Sequence, residues 1–151
     1  MPSPEESIRK TLAQYGQLYD DRMHDELAEL FTEDAVYVTP TDTTLGREAL
    51  RSRFADVLPT VHGRHLMVQA VIDVDGDTAT VTSDLIFISL DGEGLPIEGV
   101  SRYHDRMVPV DGRWLFAERR IAPLRDLRSD ASKRATAEAA RAPRAGTTPT
   151  E

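Results

Sequence analysis

The second half of the chain is punctuated in a way that leaves few folds open. After Pro59 come four strand-like runs, "RHLMVQAVIDV", "TATVTSDLIFISL", "IEGVSRYHDRMVPV" and "RWLFAERRIAPL". The separators are "DGD", "DGEGLP" and "DG". Asp and Gly accept the left-handed backbone that a tight reversal needs, so an Asp-Gly step between β-rich runs signals a hairpin. The runs therefore predict four long antiparallel strands. A sheet of that size needs one face covered by other elements.

The first half supplies that cover. Ile8, Leu12, Tyr15 and Leu18 follow helical spacing, which predicts a helix from about Pro4 to Tyr19 with Ser3 as its cap. Leu27, Leu30 and Phe31 predict a shorter second helix over about Asp25 to Phe31. "AVYVTP" is β-rich and stops at Pro40, and "TLGREALRSRFADVL" returns to helical spacing through Leu50, Phe54, Val57 and Leu58. The class is α+β: three N-terminal helices packed on the concave face of a curved, mostly antiparallel sheet. The result is a cone-shaped barrel whose open mouth suits a small molecule.

Composition narrows the function. The length fits one domain, and 40% hydrophobic residues can build its core. The absence of cysteine excludes disulfides, thiolate nucleophiles and cysteine-held zinc. No apolar run reaches the ~18 residues of a membrane span. "MPSPEESIRK" lacks the apolar centre of a signal peptide, so a cytoplasmic location is expected. A net charge of −8 opposes nucleic-acid binding. The charge is uneven: residues 1–124 carry 12 basic and 22 acidic side chains, residues 125–151 carry 6 and 4. The second segment has Leu127 as its only large apolar residue and is read as a flexible tail after a folded domain at 1–124.

Chemistry is concentrated in "QLYDDRMHDELAELFTEDAVYV", residues 17–38. Most of its acids suit a solvated face or helix caps. Asp20 differs, because it falls where the first helix ends, beside Tyr19. It could cap the second helix, or it could point into the cone. His65, near the start of the first long strand, is either a satisfied core histidine or the partner of such a carboxylate. His62 and His65 alternate to opposite strand faces, so "HGRH" is a poor metal site. "DVDGD" departs from a calcium loop at Thr78, where glycine is required. No metal and no cofactor are expected.

The order of elements, with "YDDRMHDELAELFTEDAVY", "GREALRSRF", "RHLMVQAVIDVDGDTATVTS" and "RYHDRMVPVDGRWLFAERRI", resembles the SnoaL-like branch of the nuclear transport factor two-like superfamily over about residues 5–124. The resemblance is to its scytalone dehydratase, dehydrochlorinase and polyketide cyclase members. It implies an Asp–His dyad at Asp20 and His65, in which the carboxylate orients and stabilises the imidazole that removes a proton. It also implies a carbonyl-polarising role for Tyr19 or Tyr15, and a homodimer formed through the outer sheet face. Steroid isomerases of this superfamily carry a catalytic aspartate near Thr39, where threonine cannot serve, so that chemistry is disfavoured.

Tyr37 and Thr39, on one face of the short strand, are further candidates for substrate contact. In "SRYHDRM" alternation puts Tyr103 on one face and His104 on the other, and one of the two lines the cone. Trp114 is a candidate stacker or a packing residue. Epoxide hydrolases of this superfamily need an Asp–Arg–Asp set, for which Asp84, Arg102 and Asp105 supply the residue types. The expected function is a cofactor-independent enzyme acting on a small apolar carbonyl or hydroxylated compound. The reaction would be elimination in the manner of a dehydratase, or isomerisation or cyclisation. Sixteen of 18 basic residues are Arg, which fits a bacterial natural-product setting. The alternatives are a non-catalytic ligand-binding or assembly module of the same fold, and an epoxide hydrolase or cyclase.

Overall fold

The computed structural model describes residues 1–124, so the expected tail at 125–151 lies outside the described residues. Helix α1 spans Pro4–Asp20 and begins with a full capping box. The Ser3 hydroxyl accepts from the Glu6 N–H while the Glu6 carboxylate accepts from the Ser3 N–H, satisfying two donors that a helix start leaves open. Helix α2 is short, His24–Ala28, and α3 runs Arg47–Val57 into a 3-10 turn at Leu58–Thr60. The strands are β1 Phe31–Val38, β2 Thr43–Leu45, β3 Gly63–Asp75, β4 Thr78–Ser89, β5 Ile97–Val110 and β6 Arg113–Pro123. They form one sheet in the order β2-β1-β6-β5-β4-β3. Every pairing is antiparallel except β1 with β6.

Three N-terminal helices on a curved, mostly antiparallel sheet is the architecture expected, with two differences in detail. Leu30 and Phe31 do not extend the second helix. Phe31 opens β1, where it pairs with Phe116, and the ladder outweighs the helical spacing of its side chain. Thr43–Leu45 forms β2 rather than the first turn of the third helix, which starts after Gly46 at φ 89°. The core lies between α1, α3 and the inner sheet face. Tyr15, Phe31, Tyr37, Phe54, Tyr103 and Phe116 are all at most 4% exposed there.

Two register shifts set what this inner face presents. In β3, Gln69 and Ala70 stand opposite the single residue Ser83, with Gln69 at φ 53°. Such a bulge reverses which residues face inward. Ala70, Ile72 and Val74 face the core beyond it, and His65 and Met67 face the core before it. Strict alternation from Ile72 and Val74 would have turned His65 outward. In β6 the shift falls at Ala117, between Phe116 and Glu118. Trp114 and Phe116 face inward before it and Arg119 after it.

Helix α1 ends in a Schellman turn. The Met23 N–H donates to Leu18 O at 2.9 Å and the Arg22 N–H to Tyr19 O at 3.2 Å. Arg22 therefore takes φ 60°, at a position where glycine is usual. A side chain in this conformation costs ~1–2 kcal/mol.

Candidate active site

The dyad is assembled by the close approach of α1 to the edge strand β3. A β-carbon on Gly16 would lie 2.9 Å from the His65 carbonyl oxygen, so only glycine lets the helix sit this near. One turn later, Asp20 meets His65. Its carboxylate accepts the His65 backbone N–H at 3.0 Å and faces the ring nitrogen Nδ1 at 2.6 Å. β3 is the last strand of the sheet, so this N–H has no partner strand and is free for the carboxylate. Asp20 thus grips the backbone and the ring of one residue together. The arrangement places a proton on Nδ1 and leaves the Nε2 lone pair available as a base. Both side chains are nearly buried, at 9% exposed for His65 and 7% for Asp20.

Burial lowers the His65 pKa below its ordinary value, and Asp20 opposes that shift without overcoming it. The imidazole is therefore neutral near pH 7, as a general base requires. The ring is sandwiched. Tyr19 lies 4.4 Å from it, centroid to centroid, and Phe87 lies 4.9 Å away. Burial, with Tyr15 and Asp20 adding to it, holds the Tyr19 phenol above its usual pKa. Tyr19 stays protonated and can donate a hydrogen bond.

Tyr15 is fully buried, and its hydroxyl lies 3.0 Å from that of Tyr37. Burial raises the pKa of both phenols. Tyr103 is buried on the same inner face, so it is Tyr103 and not His104 that faces the interior. His104 lies exposed on the outer face between Thr82 and Arg120. Thr39 is also displaced from the interior. It lies beyond the end of β1, and its hydroxyl contacts Asp42 Oδ1 at 2.7 Å in a turn. Trp114 is buried where its carbonyl accepts the Thr11 hydroxyl at 2.7 Å. Thr11 precedes Asp20 by nine residues, about 13 Å along a helix, so Trp114 packs away from the dyad.

Asp84, Arg102 and Asp105 do not converge. Arg102 pairs with Asp84 at 2.8 Å on the outer face. Asp105 is on the inner face, where it receives two hydrogen bonds of 2.8 Å from Arg119. Both members of this second pair are 0% exposed. The guanidinium lies against the rings of Tyr15, Tyr103 and Phe116 at 4.1–4.5 Å. Sequence reasoning missed this pair, because alternation from Trp114 and Phe116 turns Arg119 outward. It also missed Phe87. Counting back from the Asp75–Thr78 turn pairs His65 with Ile88, and the bulge moves the partner to Phe87. Among the described residues no group of three His, Asp or Glu side chains could hold a metal. No helix there is long and apolar enough to cross a membrane.

The comparisons with known proteins bear on the family and the fold. The family described as a SnoaL-like domain matches residues 3–120, and the chain belongs to that family. Its fold is shared with an Asp-to-Asn variant of Rv3472, a protein of unknown function from Mycobacterium tuberculosis. That match has 32% identity and TM-score 0.74 over 78% of this chain and 69% of that one. A candidate scytalone dehydratase from Novosphingobium aromaticivorans matches with 27% identity and TM-score 0.68, over 78% of this chain and 81% of that one. A protein from Catenulispora acidiphila, solved in complex with S-DNPA, matches with 26% identity and TM-score 0.69 over 83% and 95%. No curated protein matches the chain.

Proposed function

We propose that the protein is a cofactor-independent enzyme that removes a proton from carbon in a small carbonyl or hydroxylated compound, using Asp20 and His65. The observation that carries this reading is the 2.6 Å contact between His65 Nδ1 and a carboxylate that also holds the His65 backbone. His65 Nε2 takes a proton from the carbon next to a carbonyl, and Asp20 stabilises the imidazolium that forms. Tyr19 donates to the carbonyl oxygen as negative charge develops there. In an elimination, the C–O bond to a β-hydroxyl then breaks, and the imidazolium proton leaves with the hydroxyl as water. In an isomerisation the same proton returns to a different carbon. The buried Tyr15–Tyr37 pair adjoins Tyr19 on the core side, with the Tyr15 and Tyr19 rings 5.8 Å apart. A dehydratase reading is supported by the likeness to the candidate scytalone dehydratase, and small-molecule binding by the relative solved with S-DNPA.

The test is proton exchange in D2O, followed by NMR, on a panel of small aromatic β-hydroxyketones and ketones. Wild-type protein is expected to exchange the α-proton or release water. His65→Ala should slow this by about 10²–10⁴-fold. Asp20→Asn should also slow it, and the double variant should be no slower than the worse single one, because the two act as one unit. Undiminished exchange in His65→Ala would overturn the proposal. Binding without exchange in the wild type would make the protein a ligand-binding module.

A further inference from the structure

Phe87 stands apart from the other three phenylalanines of the chain. Phe31, Phe54 and Phe116 are at most 1% exposed and lie in the aromatic core. Phe87 is half-buried, and among the described residues its one aromatic neighbour is His65. The two are cross-strand partners on β4 and β3, so they share a face of the sheet. The ring had another place to lie. Its partner on β5 is Gly99, which has no side chain to obstruct it. A β-carbon on Gly99 would meet only Phe87 Cβ, at 3.8 Å, so the ring has turned away from β5. It lies instead over Gly63 of β3, where a β-carbon would fall 2.3 Å from Phe87 Cζ and 2.5 Å from Cε2. Only glycine leaves this notch open. The ring so placed packs on the His65 imidazole at 4.9 Å, while Tyr19 packs on it at 4.4 Å.

We infer that Phe87 is a positioning residue for the base: seated in the Gly63 notch, it fixes the imidazole against Tyr19 and keeps water from it. The inference deepens the reading of the Asp20–His65 site and rests on it for its link to catalysis. Its physical consequence is a neutral base. The titratable groups that face the imidazole are Asp20 and Tyr19, both from α1. On the β4 side the imidazole meets Phe87, which carries no charge. The carboxylate at 2.6 Å favours the imidazolium, and burial disfavours it more strongly. Phe87 supplies part of that burial. Without its ring, water reaches the imidazole and the carboxylate prevails.

Histidine NMR titration of the full chain tests it, with His65→Ala to assign the signal. Phe87→Ala should raise the His65 pKa by about one unit. Phe87→Leu, which keeps apolar cover over the ring, should raise it less than half as far. For any ketone of the panel that exchanges, the acid limb of the pH–rate profile should move up with that pKa in Phe87→Ala. Above that limb kcat should fall about tenfold with KM unchanged, because the ring is less well held. An unchanged His65 pKa in both variants would overturn the inference whatever their melting temperatures, since a ring that only packed would alter stability alone. A rise in KM with kcat unchanged would also overturn it, because Phe87 would then be a wall for the substrate. If the pKa moves but the wild type exchanges no proton on the panel, the dyad reading fails and the seating of the imidazole stands. Exchange in the wild type without the shift in pKa would do the reverse.

Discussion

At the residue scale, His65 is set by two opposed effects of similar origin. Burial penalises its cation, and the Asp20 carboxylate favours it, with burial the larger. Asp20→Asn removes the favourable partner, so NMR titration should show the His65 pKa fall further in that variant. The sign for stability follows. In the folded chain the pKa lies below the 6.5 of the free side chain, so the unfolded state takes up its proton first. Stability attributable to His65 is therefore complete above that value and is lost as pH falls through the folded pKa. Urea unfolding should show a steeper loss between pH 7 and 5 for wild type than for His65→Gln. An equal slope in the two would mean that the ring titrates as a free histidine.

At the scale of elements, the site depends on how α1 meets β3. The Gly16 contact with the His65 carbonyl leaves no room for a methyl group. Alanine is favoured over glycine in a helix by ~1 kcal/mol, yet here it forces two backbones apart. Gly16→Ala should therefore lower turnover by about tenfold or more, since a shift of ~1 Å in a catalytic pair can cost 10²-fold. Melting temperature should change little beside that loss. The β3 bulge makes a second demand. Deleting Gln69 would restore strict alternation and turn His65 to the outer face. Exchange activity should vanish in that variant even if its circular dichroism stays native. Retained activity would show that the bulge is not what orients the histidine. Arg22→Gly should raise stability by up to ~1 kcal/mol, because it relieves the left-handed strain.

At the scale of the whole molecule, the interior holds a charge pair where apolar side chains would be ordinary. Arg119 and Asp105 join β5 to β6 under a layer of aromatic rings. Removing one partner strands the other without water, which costs ~3–5 kcal/mol. Asp105→Leu and Arg119→Met should each be destabilising to that extent in urea unfolding. The double variant should be more stable than either single one, because no uncompensated charge remains. If the losses simply add, the pair is not coupled as its two 2.8 Å hydrogen bonds imply.

The amino-acid sequence by itself determined the order of the three helices and of every strand but β2, the hairpins and the α+β class. Those rest on local rules: Asp-Gly turns, helical spacing from Ile8 to Leu18, and β-rich runs. Asp20 and His65 could be singled out as residues, because a carboxylate at a helix end and a histidine at a strand start are visible in one dimension. Their contact was decided by tertiary structure, through the missing side chain of Gly16 and the unpaired edge of β3. The facing of Tyr103, the burial of Arg119 and the contact between Phe87 and His65 were also decided there. The physical reason is that strand alternation has a period of two, so one inserted residue reverses every side chain beyond it. A bulge depends on the fit between neighbouring strands, and no local pattern in "LMVQAVI" or "LFAERR" marks where that residue enters.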